Sequence, residues 1–275
     1  MALDQLDVDG HESHMTFLEH LEALRWHLMR SIIAIFAGAI LAFAYGSYIF
    51  DKILLGPTQP SFWTFRKICD LSYYLYNSDR ICIEKMEFVV KTMKVQEQFF
   101  QHMMISLLGG VVLALPYILY EIYRFIKPAL KRSEKRYSGL AIFFGSAMFF
   151  LGLLFGYFIL TPISINFLGN YTLSNVIQKE FTVTSVVSIV SMLTIGAAII
   201  FELPLVIYVL AKVGLVTGEM LSRYRKVALV LVLVISAIIT PPDIASQIIL
   251  SIPIMILYEV GILIAKKVNP QIEYD

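Results

Sequence analysis

The sequence predicts an all-α integral membrane protein with six transmembrane helices, and three observations carry that expectation. Hydrophobic residues make up 58% of the 275 residues and charged residues only 16%. The mean hydropathy is +0.73. The apolar residues also gather into six runs, separated by connectors that hold most of the charge. Soluble globular domains do not have this composition. The formal net charge of +1 gives no basic face for nucleic acid, so the positions of the charges matter more than their sum.

Residues 1–14 contain Asp4, Asp7, Asp9 and Glu12 and no Lys or Arg, the opposite of a secretory leader. They read as a mobile acidic tail in which His11 and His14 are solvated, and the first apolar run reads as a retained signal anchor. A single membrane domain is expected over 15–267, with a cytoplasmic tail over 268–275. Its spans are expected near 30–50, 100–123, 138–161, 185–211, 227–240 and 247–265. The fifth and sixth runs are short. Residues 227–240 rise about 21 Å at 1.5 Å per residue, against a hydrocarbon core of about 30 Å.

Orientation follows from the short loops. Between the second and third runs lie Arg124, Lys127, Lys131, Arg132, Lys135 and Arg136; between the third and fourth, only Lys179. Between the fourth and fifth lie Lys212, Arg223, Arg225 and Lys226; between the fifth and sixth, none; after the sixth, Lys266 and Lys267. Basic loops stay in the cytoplasm, which puts both termini there, and Arg25 and Arg30 before the first run agree. The long loop near 51–99 is then extracytoplasmic. It holds Cys69 and Cys82 on the oxidising side, where a bridge would close a loop of about 14 residues and contribute roughly 3 kcal/mol. The alternative is two free thiols.

Two of the apolar runs carry features beyond length. The third has Gly145, Gly152 and Gly156, of which the last two form GxxxG, a spacing that lets helices approach closely. The fourth carries Glu202, about 15 Å from Lys212 along a helix and so near mid-bilayer. Thr184, Ser188, Ser191, Ile195, Ala198 and Glu202 follow three- and four-residue steps. That stripe, polar or small except at Ile195, is expected to face protein or water, and Pro204 should bend the helix beside it. A structural role would leave Glu202 protonated and hydrogen-bonded within the bundle. A functional role would place it in a polar cavity or at a partner's docking point, and an intramembrane acid favours function.

Asp243 follows Pro241 and Pro242 and fits the first turn of the sixth helix, with Gln247 one turn on sharing its face. Glu121 and Glu259 both occur in ILYE near cytoplasmic helix ends, where snorkelling or pairing with Arg124 or Lys266 accounts for them. The connector 125–136, FIKPALKRSEKR, holds one acid: Glu134 sits among Lys127, Lys131, Arg132, Lys135 and Arg136. It reads either as an ordinary inside loop whose acid pairs with a neighbour or as a docking point for a basic ligand.

Four stretches together resemble the TatC family, the core multispanning subunit of twin-arginine protein translocases. They are FLEHLEALRWH (17–27), LPYILYEIYRFIKPALKRSEKR (115–136), FELP (201–204) and TPPDIASQIILSIPIMILYE (240–259), in the order and spacing of the family. The resemblance implies a curved, concave six-helix wall. It implies that Glu134, with Phe125, Arg136 and neighbouring loop residues, receives the twin-arginine motif of a folded cargo's signal peptide. It further implies TatA-like and TatB-like single-span partners in a hetero-oligomer, contacts near the fifth helix, Glu202 and Gln247, and transport across the bacterial cytoplasmic membrane driven by the proton-motive force. Neither nucleotide nor other cofactor is implied, and the chain has no Walker loop. Pro57 matches a proline near the start of the first outer loop, although the loop itself is longer than the family core.

The amino-terminal pattern F-x-x-H-L-x-E-L-R-x-R departs at two places: Ala23 stands where the acid is expected and His27 where the last Arg is expected, while His20, Leu21, Leu24 and Arg25 match. Glu19 lies one turn from Ala23 and about 40° away on a helix, and Glu22 about 100° away, so Glu19 is the better substitute. Two other functions were weighed. A proton-coupled solute transporter would use Glu202, but such folds show paired broken helices. A protease would need Ser146 and His102 to meet, and they belong to opposite ends of their helices, so no enzyme is expected.

Overall fold

A computed structural model describes residues 17–76, 82, 88–126, 138–174 and 179–268. The first span is Phe17–Ala44 and the second Glu97–Ile126. The third runs Ser138–Phe155, passes through a wide π-helical turn at Gly156–Leu160, and continues as Thr161–Asn170. The fourth is Val183–Phe201 followed by Leu203–Lys212, the fifth Arg225–Ile239 and the sixth Ile244–Val268.

Five of these are long and apolar enough to cross a membrane. The exception is the fifth, whose 15 residues rise only about 22 Å. The expectation of a short sixth span is corrected: it has 25 residues. Asp243 caps its start, accepting from Ser246 N at 2.6 Å, and Pro253 within it does not end the helix. The first span also starts earlier than its apolar run, because the mixed-polarity stretch FLEHLEALRWHLMR is helical.

The main packing runs from the first span to the second, third and fourth, then to the sixth and from it to the fifth, with the second also touching the fourth. That order makes a wall rather than a closed bundle. Glycines set the closest approaches. A Cβ on Gly38 would lie 2.9 Å from Gly110 O, and one on Gly110 would lie 2.5 Å from Ile35 O, so the first two spans cross with backbones in contact. Gly152 meets Phe201 and Ala197 O, and Gly156 meets Leu193 O, so the GxxxG pair of the third span seats the fourth, as small residues do in membrane helices. The fourth span breaks where expected. Glu202 N donates to Ile199 O at 3.1 Å in a tighter turn, and Pro204 has no N–H to continue the ladder.

The outer face is built from the long loop. Helix Trp63–Tyr76 rests on the outer half of the third span: Thr64 donates to Phe158 O at 2.5 Å, and Phe62 packs on Tyr157 and Phe158. Cys69 and Cys82 are joined, with Cα atoms 4.6 Å apart. Val89–Lys91 pairs in parallel with Glu180–Thr182, register Val90 to Phe181, and Lys91 forms an ion pair with Glu180. Pro57 is fully buried in the 3-10 turn Gly56–Thr58.

Candidate functional site

The sequence-derived candidates fall into three separate places. The first is the inner end of the first two spans. The crossing at Gly38 and Gly110 leaves the inward parts of both helices side by side, and a polar cluster closes them. His27 Nδ1 lies 2.5 Å from Glu121 Oε2, and Tyr117 OH donates to Glu121 Oε1 at 2.7 Å. Glu121 is 1% exposed, so both its oxygens are spent on these partners, as a buried carboxylate requires. The edge of the His27 ring faces Phe125, centroids 6.1 Å apart. Glu22 and Arg25 are exposed on the same inner stretch of the first span. Glu134, Arg136 and the rest of 127–137 lie outside the described residues, as does the side chain of Glu19.

Two expectations about paired acids are corrected here. Glu121 bonds His27 of the first span and Tyr117 one turn back on its own helix rather than Arg124. Glu259 binds Arg225 rather than Lys266, through Nε to Oε1 at 2.7 Å and Nη2 to Oε2 at 2.8 Å. This planar two-point pairing is one a lysine does not make.

The second place is Glu202. Both of its oxygens are buried and make no hydrogen bond among the described residues, and the same holds for Ser146 Oγ and Thr194 Oγ1. A Cβ on Gly145 would stand 3.4 Å from Glu202 Oε2 and 2.8 Å from Leu205, with Leu119 close by. The carboxylate therefore points at the glycine face of the third span among leucines. The stripe leading to it is exposed at Thr184 and Ser188, half-buried at Ser191 and Ile195, and buried at Ala198. It runs from the open surface into the packed interior.

The third place lies at the outer ends of the third, fifth and sixth spans. Asp243, 3% exposed, caps the sixth helix, and Ser164 Oγ lies 2.6 Å from Ser246 Oγ and 3.4 Å from Asp243 Oδ2. Gln247 Nε2 donates to Leu233 O at 3.1 Å, and Ser251 donates to Ser236 at 3.0 Å. This hydroxyl seam joins the short fifth span to the sixth. Glu202 does not belong to it: Gly145, which faces Glu202, and Ser164, which faces Asp243, are roughly 28 Å apart along the third span. Pro57 packs apart from both, against the outer end of the third span.

His102 and Ser146 do not meet. His102 stacks on Phe43, centroids 4.1 Å apart, and its Nε2 lies 3.2 Å from Phe43 O. Sequence reasoning gave no role to Glu97, which the structure makes a junction. It is 7% exposed and accepts from Thr184 N at 2.9 Å, Thr184 Oγ1 at 2.7 Å and Met93 N at 2.8 Å. Its place at the first residue of a helix, where acids are favoured, was the one available signal.

An open wall of helices with polar groups at its inner ends, its middle and its outer seam defines a multi-pass membrane protein. A profile of the family described as "Sec-independent protein translocase protein (TatC)" matches residues 19–253. The chain is 35% identical over 257 residues to the protein so named in Blattabacterium sp. subsp. Periplaneta americana, covering 92% of this chain and 96% of that one. It is likewise 35% identical over 254 residues to the one in Aquifex aeolicus, covering 92% and 95%. Its fold matches a crystal structure described as the twin arginine translocase receptor TatC, with a TM-score of 0.70 and 35% identity over 91% of this chain and all of that one.

The chain belongs to the TatC family. It is a core component of a Sec-independent protein-translocation complex, and the solute-transporter alternative finds no support in these likenesses.

Proposed function

We propose that this chain is the receptor for twin-arginine signal peptides in a bacterial cytoplasmic membrane, and that it passes folded cargo to TatA-like and TatB-like single-span subunits under the proton-motive force. The observation that carries the reading is the junction of the first two spans. His27, from the first of the matching stretches, touches both Glu121 and Phe125, from the second. Stretches about a hundred residues apart in the chain thus meet at one inner surface, and the connector carrying Glu134 begins directly after it. The solved relative is itself described as a receptor.

The chemistry is that of guanidinium and carboxylate. Paired arginines brought to Glu134 gain charge-assisted, two-point hydrogen bonds. The surrounding Lys127, Lys131, Arg132, Lys135 and Arg136 repel basic segments that do not place their guanidiniums on the acid. Phe125, two residues before that connector's first lysine, offers a part-exposed apolar surface. Glu202, half-buried at mid-membrane, and the seam at Gln247 are assigned to contact with the partner subunits.

A photo-crosslinker on the inner stretch of the first span, with Glu134 left in place, tests the receptor role. It is expected to capture a twin-arginine signal peptide, and Glu134→Ala or Glu134→Lys is expected to abolish peptide binding while the protein still inserts. Undiminished crosslinking of the peptide to Glu134→Lys, read from that same position, overturns it.

A further inference from the structure

The first two spans are held tightly near their middles and tied at both ends. The backbone contact at Gly38 and Gly110 is a pivot. At the outer end His102 reaches Phe43 O. At the inner end the tie is His27 to Glu121, and Glu121 lies about 16 Å along its helix from Gly110. The two helices pack along much of their length, and at the inner end the separation is further fixed by the side chains that bridge them there. That bridge is an imidazole on a carboxylate that is itself held by Tyr117. It is 16% exposed on the His27 side chain and 2% on the Glu121 side chain, so it is largely shielded from water.

The same imidazole presents its ring edge to Phe125, one turn beyond Glu121. An edge-to-face contact restricts where the phenyl ring rests. Phe125 is part-exposed at that inner end.

From this geometry we infer that His27 and Glu121 are positioning residues of the signal-peptide site: they fix the inner gap between the first two spans and, through the His27 ring, the orientation of Phe125. The inference rests on the receptor reading above and adds to it how that surface is set. It also gives a role to the departure at His27. An arginine there has no ring to present to Phe125, whereas histidine bonds the carboxylate through Nδ1 and presents its ring edge at once.

A double-mutant cycle in membranes carrying the whole translocation complex tests this, with a fluorescent twin-arginine signal peptide as the probe. His27→Ala and Phe125→Ala are each expected to weaken peptide binding roughly tenfold, within the coupling range of residues in contact. The double variant is expected to be no weaker than either alone. Glu121→Gln, which keeps an acceptor and a donor in place, is expected to retain binding, and Glu121→Ala to lose it to the same extent as His27→Ala. If His27→Ala does not accumulate in the membrane, the cycle is run with Glu121→Ala and Phe125→Ala.

Unchanged binding in His27→Ala, losses that multiply in the double variant, or equal loss in Glu121→Gln and Glu121→Ala would each overturn the inference. Binding that survives Glu134→Ala sinks the receptor reading instead. Dependence on Glu134 with additive losses at His27 and Phe125 leaves that reading standing and removes only the positioning role.

Discussion

Glu97, the first residue of the second span, caps the fourth span: Thr184 donates to Glu97 Oε1 from its backbone N at 2.9 Å and from its hydroxyl at 2.7 Å. The other carboxylate oxygen takes Met93 N at 2.8 Å. One side chain therefore ties the first turn of the fourth span to the segment that leads into the second. Glu97→Ala is expected to lower the thermal midpoint of the purified protein by several degrees, and Glu97→Gln by less, since an amide oxygen still accepts. Equal midpoints for Glu97→Ala and the parent, measured by intrinsic fluorescence in detergent, would show that the junction is incidental.

The crossing of the first two spans leaves no room for a side chain. A Cβ on Gly110 would meet Ile35 O at 2.5 Å and Ala39 N at 2.6 Å, and both are backbone atoms that cannot turn aside. Gly110→Ala is expected to destabilise by about 1–3 kcal/mol, the usual range for overpacking. Gly139, around which nothing lies within 4 Å among the described residues, is the control, and Gly139→Ala should be neutral. Unfolding by a denaturing detergent, followed by helical circular dichroism, distinguishes the two.

The membrane class, the spans and the break at Pro204 were legible because each follows from local rules: run length, loop charge, and the missing proline donor. The GxxxG contact of the third span was legible for the same reason. The Gly38 and Gly110 crossing was not, since single glycines on two helices signal nothing until the helices are paired. The acids divide in the same way. Asp243 was legible as an acid at the start of the sixth helix because that role is local, and its partner, Ser246, is three residues on. Glu121, Glu259 and Glu97 were misread or missed because their partners His27, Arg225 and Thr184 are distant in the chain, and nearby cations offered a cheaper local explanation. The length of the sixth span was underestimated because a run of apolar residues ends before its helix does. The helix continues through Lys266 and Lys267, whose charges suit its last turn.

The short fifth span depends on its two ends. At the inner end Arg225 grips Glu259 of the sixth span with two hydrogen bonds at 2.7 and 2.8 Å. Both side chains are about half exposed, so the pair is worth no more than about 1 kcal/mol. Its geometry is nevertheless specific, and Arg225→Lys should lose most of what Arg225→Ala loses. Exchanging the residues, Arg225→Glu with Glu259→Arg, is expected to restore stability that either single reversal removes. Failure of the exchange to recover any of it would show that the two residues act independently.

Glu202 is the group whose removal separates structure from function. Its two oxygens are buried without a hydrogen bond among the described residues, facing Gly145 and leucines. In a bundle that only needed to be stable, an apolar residue would serve better there, because an unpaired polar group in such surroundings costs roughly 1–3 kcal/mol. Glu202→Leu is therefore expected to leave stability unchanged or raise it, and Glu202→Ala to leave signal-peptide binding intact. Both are expected to lose export and co-purification with the single-span subunits. Export measured with a folded fluorescent cargo, beside the melting curve of each variant, checks both halves. Normal export with Glu202→Ala would reduce the residue to packing, and a large drop in stability with Glu202→Leu would mean that the carboxyl has an internal partner.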